Sequence, residues 1–119
     1  MAQVQIVLGE EFVLHVGQTT AQVGETGPRL TFEAVLEDSR CPVGVTCVWA
    51  GDAVVVVALD GTDNDTKRLE LHTNSDFDTK SATDGYSVHL IDLSPLPREG
   101  STIEVDRYQA TLVVRRSVA

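Results

Sequence analysis

Along most of this chain, residues two apart belong to the same class. Phe12, Leu14 and Val16 interleave with Val13 and His15, and Leu30, Phe32, Ala34 and Leu36 with Thr31, Glu33, Val35 and Glu37. Leu69 and Leu71 interleave with Arg68, Glu70 and His72. Tyr108, Ala110, Leu112 and Val114 do so with Gln109, Thr111, Val113 and Arg115. A period of two is that of a strand with one face in a core and the other towards water. Tyr86 to Leu93 also reads as a strand, with an irregularity expected where Leu90 and Ile91 adjoin. Val4, Ile6 and Leu8 read as a first strand ahead of the turn at Gly9-Glu10-Glu11. Ala53 to Leu59 is apolar at every position, which predicts a central strand covered by the core on one side and by a loop or a partner on the other.

Turn clusters separate these segments: Gly24-Glu25-Thr26-Gly27-Pro28, Asp60 to Asp65, Ser81-Ala82-Thr83-Asp84-Gly85, and Pro95 to Gly100. No window supports a long amphipathic helix, and the β-formers valine, threonine and isoleucine recur throughout. The pattern predicts an all-β fold: a two-sheet antiparallel sandwich, immunoglobulin-like, of about seven to eight strands. A small closed barrel is the alternative. Neither an internal repeat nor a linker is visible, so residues 1–119 read as a single β-sandwich domain.

Composition narrows the function classes. The chain has 119 residues, 42% hydrophobic and 5% aromatic, with a formal net charge of −9. That apolar fraction is too high for intrinsic disorder. The acidity excludes a phosphate-binding face, and with it DNA or RNA as partner. No apolar run approaches the roughly 20 residues of a spanning helix. Met1-Ala2-Gln3-Val4-Gln5 has neither a basic region nor an apolar run, so no signal peptide is read there. The chain is then either intracellular or a mature form whose signal or lipid anchor is absent.

The most specific stretch is Asp38-Ser39-Arg40-Cys41-Pro42-Val43-Gly44-Val45-Thr46-Cys47-Val48-Trp49-Ala50-Gly51. It holds both cysteines and the one tryptophan. The short Pro- and Gly-containing loop between Cys41 and Cys47 can turn back to the Cα separation a disulfide needs, about 4.4–6.8 Å. A bonded pair predicts an oxidising compartment, meaning a secreted, periplasmic or cell-surface protein, whereas two buried thiols would fit the cytosol. The chain-entropy model gives so short a loop about 2 kcal/mol, a local clamp. The spacing is wrong for a C-x-x-C redox pair, and two cysteines cannot complete a zinc knuckle. In an extended segment Cys47 and Trp49 share a face, so the indole is placed to cover the disulfide. Arg40 is placed to stack on Trp49 or to pair with Asp38 or Glu37. The stretch reads either as a stapled β-arch or as a rigid recognition loop built from Asp38, Arg40, Pro42, Val43, Val45 and Trp49.

This motif resembles that of a family of small uncharacterised bacterial secreted proteins and lipoproteins, which carry a similar Asp-Ser-Arg-Cys-Pro…Cys-Val-Trp-Ala-Gly segment. The likeness runs on through Tyr86-Ser87-Val88-His89-Leu90, the Pro95-Leu96-Pro97 turn and Tyr108 to Val114. The resemblance implies export and brings no established activity.

Catalytic patterns are missing from the sequence. There is no Gly-x-Ser-x-Gly elbow and no glycine-rich phosphate loop, and a bonded Cys41–Cys47 pair has no nucleophile to offer. No cofactor is expected. Asp60, Asp63 and Asp65 share one turn and offer oxygen ligands to Ca²⁺, without the spacing of an EF-hand. His15, His72 and His89 read as separate surface residues, able to hold a transition metal only if their strands adjoin. The sequence therefore points to a non-catalytic extracytoplasmic module that binds a protein partner or belongs to the cell envelope. A subunit that self-assembles by strand addition through Val54–Val57 or Val4–Leu8 is the alternative, and a Ca²⁺ or transition-metal binding protein the second.

Overall fold

A computed structural model describes residues 4–23, 27–61, 66–83 and 85–117. Seven strands run in chain order: β1 Glu11–His15, β2 Arg29–Asp38, β3 Ala53–Asp60, β4 Thr66–His72, β5 Lys80–Thr83, β6 Tyr86–Ser94 and β7 Gln109–Arg116. A 3₁₀ turn, Val105–Arg107, precedes β7. The strands form two antiparallel sheets, ordered β1-β7-β6-β5 and β2-β3-β4. The expected two-sheet sandwich is thus present. Its wiring differs from the ABED and CFG order of constant-type immunoglobulin domains, so the likeness is one of architecture.

One core lies between the sheets. Phe32 and Leu30 of β2, Val55, Val57 and Leu59 of β3, and Leu69 and Leu71 of β4 face Leu14 of β1, Val88, Leu90 and Leu93 of β6, and Ala110, Leu112 and Val114 of β7. The inward residues are the ones the alternation selects, with one exception. The register of β2 shifts between Phe32 and Ala34 and again between Val35 and Glu37. Each bulge inserts a residue and reverses the parity, so Val35 packs against the core while Leu36 is exposed. The irregularity expected near Leu90 and Ile91 is a third bulge, between Leu90 and Asp92.

Two strand assignments change. Residues 4–8 are no strand: Val4 bridges Thr20, and at Gly9 the chain already bonds to Val114 of β7. With a different partner at each end, no ladder forms. Ser81, Ala82 and Thr83, expected in the turn Ser81–Gly85, belong instead to strand Lys80–Thr83, which forms because it pairs with β6. With only Ala82 apolar, nothing in its own sequence shows this.

Strand β3, apolar from Ala53 to Leu59, is central, as expected, with β2 and β4 on its two edges. Both of its hydrogen-bonding edges are occupied, so Val54–Val57 offers no free edge for strand addition. On its outer face Val54, Val56 and Ala58 are buried. Part of that cover comes from the sheet itself. Arg68 of β4 donates through Nε to Oε1 of Glu33 on β2 at 2.8 Å. The pair must reach across β3, over Ala58, whose ladder partners are Thr31 and Arg68.

Candidate functional site

The stretch from Ser39 to Asp52 joins β2 to β3 within one sheet, so it is a long hairpin tip and not an arch between sheets. Strand pairing continues past the named strands: Ser39 N donates to Asp52 O at 2.7 Å, and Cys41 N to Ala50 O at 3.1 Å. Gly51 makes this close approach feasible. It has φ +77°, and a Cβ there would lie 2.0 Å from the Ser39 carbonyl oxygen. Above this base Cys41 and Cys47 form the expected disulfide, with Cα atoms 6.0 Å apart. The indole does not bury the bond, for Cys47 remains exposed.

Arg40 chooses Asp38 over Trp49. Its Nε and Nη2 donate to the two Asp38 carboxylate oxygens, each at 2.8 Å. Nη1 also donates to Leu93 O at 2.6 Å and Nη2 to Pro95 O at 2.9 Å. Tyr108 completes the cluster, its hydroxyl donating to Asp38 Oδ2 at 2.8 Å. Only 9% of the Arg40 side chain and 12% of the Asp38 side chain are exposed. The cluster ties the end of β2 in one sheet to the end of β6 and the start of β7 in the other. Of the residues expected in a recognition loop, Asp38 and Arg40 therefore face inward as anchors, and Pro42 is half-buried. Val43, Val45 and Trp49 face solvent.

Burial alone would raise the pKa of Asp38, but the hydrogen bonds from Arg40 and Tyr108 outweigh it and leave the group below its usual range. Tyr108 is pushed up to about 12 by burial and by its bond to the Asp38 carboxylate. Its neutral form is thus favoured by folding. That contribution is fully present below the ordinary tyrosine pKa of about 10 and is lost as pH rises through about 12. Tyrosinate absorbance should show one of the two tyrosines ionising in that range, and Tyr108→Phe should remove both this step and its share of the alkaline loss of stability. Ionisation of Tyr108 at an ordinary pKa would contradict the cluster.

A second polar cluster fixes the neighbouring loop after β4. Asp52 accepts from His72 Nδ1 at 2.5 Å and from the Asn74 backbone N–H at 3.0 Å. Asn74 Nδ2 donates to Gly51 O at 2.7 Å, and Ala53 N donates to Thr73 Oγ1 at 3.0 Å. Burial raises the Asp52 pKa, and His72 with the Asn74 N–H more than reverses this. His72 is therefore no isolated surface residue. Its ring lies 5.3 Å from that of Phe77, tilted by 33°, and Trp49 meets Phe77 edge-on at 6.4 Å and 86°. Trp49 and Phe77 are both open to solvent, at 53% and 48%. Val43, Val45, Val48 and Leu96 are exposed around the same end. Sequence reasoning missed Phe77. Its signal is a lone aromatic in Asp76-Phe77-Asp78, outside any periodic segment.

Two concavities border this surface. One, of about 390 Å³, lies between Arg40, Gly51, Asn74, Asp92 and Leu96. The other is an open groove of about 810 Å³ beneath residues 94–107, where Arg98 and Arg107 are mixed with Glu104, Asp106 and His15. An Asp–His pair such as Asp52–His72 orients an imidazole, as in acyl-transfer triads, but such a triad also needs a nucleophile bonded to the other ring nitrogen. Among the described residues no hydroxyl is bonded to His72 Nε2, and the pair serves to hold Phe77 and the loop.

Of the calcium candidates, Asp60 accepts from Thr66 Oγ1 at 2.7 Å, whereas Asp63 and Asp65 lie outside the described residues. The three histidines do not adjoin: His15 pairs with Gln109 and His89 with Val113 on opposite sides of β7, and His72 is in the other sheet. Among the described residues no three His, Cys, Asp or Glu side chains converge on a metal position. No helix there is long and apolar enough to cross a membrane. Comparison of the chain with known protein families, curated proteins and solved structures finds no match.

Proposed function

We propose that this protein is a non-catalytic binding module acting outside the cytoplasm, secreted or held at the cell envelope, and that it recognises a protein through the β2–β3 hairpin tip together with Phe77. The exposed Trp49–Phe77 pair on a clamped base carries this reading. Aromatic side chains dominate binding hot spots, and contiguous exposed apolar surface marks interaction sites. The disulfide and the Gly51 base hold the tip in one conformation, so ordering it on binding costs little. Export is supported by the disulfide, which is at home in an oxidising compartment, and by the resemblance of the motif to those of secreted proteins and lipoproteins.

The test is affinity capture from an extracytoplasmic extract, with wild type and Trp49→Ala side by side. Trp49 is half-exposed, so its removal should leave the melting temperature within a few degrees of wild type. The variant should lose a protein that wild type retains, by about tenfold or more. Equal capture by both proteins, or no specific capture by wild type, would count against the proposal.

A further inference from the structure

We infer that the tip takes a basic peptide segment of its partner, with an arginine or lysine side chain laid against the Trp49–Phe77 corner and its charge facing Asp76, Asp78 and Asp92. This rests on the binding reading above and names the partner's chemistry. Phe77 stands between two exposed carboxylates in the chain, and Asp92 lines the adjoining cleft. None of the three acids makes an ion pair among the described residues. The cation nearest that cleft, Arg40, has its guanidinium committed to Asp38 and to two backbone carbonyls. Arg98, an exposed cation of this end, lies in the segment that bridges Val43, and Lys80, exposed two residues after Asp78, makes no ion pair with it among the described residues. An open aromatic pair beside unpaired carboxylates attracts a cation twice, through the ring quadrupole and through the charges.

The other occupants fit less well. A second copy would bring the same acids and a net charge of −9 against this face. Nucleic acid and anionic lipid would be repelled for the same reason. A peptide that carries a cation and apolar neighbours matches both the carboxylates and the exposed Val48 and Leu96.

Trp49 is the one tryptophan of the chain, so its emission reports on this surface directly. The probes are a short blocked peptide alternating arginine and leucine, the same peptide with glutamate for arginine, and spermine. The arginine peptide should change the emission saturably and the glutamate peptide should not. Phe77→Ala should weaken the arginine peptide by about tenfold. Asp76→Asn with Asp78→Asn should weaken it about fivefold and flatten its dependence on salt. Equal binding of both peptides, or no effect of the two Asp→Asn changes, would overturn the inference, as would spermine binding as tightly as the peptide. An emission change on concentrating the protein alone would assign the face to a second copy. If the arginine peptide fails while capture from extract still depends on Trp49, the basic partner is wrong and the binding function stands.

Discussion

Gly51→Ala is expected to lower the unfolding free energy by about 4 kcal/mol, the sum of a forced left-handed backbone and a collision that only backbone movement relieves. The new methyl would meet the Ser39 carbonyl oxygen at 2.0 Å and the Arg40 Cα at 2.8 Å. Making room separates the two sides of the hairpin base and loosens the bonds between Ser39 and Asp52. Gly44 supplies the control. It also has positive φ, +92°, but a Cβ there meets nothing within 4 Å. Gly44→Ala should cost only about 1 kcal/mol. Denaturant unfolding followed by circular dichroism compares the two, and equal costs would remove the close approach as the cause.

The second large effect concerns Arg40. Removing one partner of a largely buried ion pair costs about 3–5 kcal/mol, because the other charge stays behind uncompensated. Arg40→Ala leaves the Asp38 carboxylate without a charged partner, held only by the Tyr108 hydroxyl and a long bond from the residue-40 backbone N–H, and deprives the Leu93 and Pro95 carbonyls of a donor. The loss should fall within that range, and it should come with weakened attachment of residues 93–97 to the hairpin base, visible as faster amide exchange there. Arg40→Lys keeps the charge but cannot hold a bidentate carboxylate and two carbonyls at once, so it should recover only part of the stability. A cost below about 1 kcal/mol for Arg40→Ala would reduce the cluster to an ordinary surface pair.

The parts of the fold that were legible in the sequence are those where burial follows a fixed period. Leu14, Leu69, Leu71, Leu112 and Val114 lie where a period of two puts them. The failures have physical causes. The bulges in β2 reverse parity at Val35, where Ala34, Val35 and Leu36 are apolar in succession, so the alternation by itself does not say which of them turns inward. Strand β5 owes its existence to β6, and Val4–Leu8 lacks a strand partner, so both depend on contacts remote in sequence. At the site, the disulfide and the Asp38–Arg40 pair are local and could be anticipated from spacing. Tyr108, Leu93 and Pro95 join them from more than 50 residues away, and only the packing of the two sheets brings them there. The same holds for Phe77, which meets Trp49 because Asp52 and Asn74 tie their loops together.

The clamp also divides the hairpin into two kinds of position. Most of what fixes its path is backbone pairing and small or inward residues at the base, the Ser39–Asp52 and Cys41–Ala50 pairings, Gly51 and Arg40, and above it the Cys41–Cys47 disulfide and the bond from Val43 N to Pro97 O hold the turn. Val43, Val45, Val48 and Trp49 point away from the core, and Val48 is fully exposed. Framework and display are thus separated, as in loops whose ends are stapled and whose middles vary. The outward positions of such a tip can change with little cost to the fold, and under the binding role proposed above one scaffold with this base would accept different targets by substitution at those positions alone.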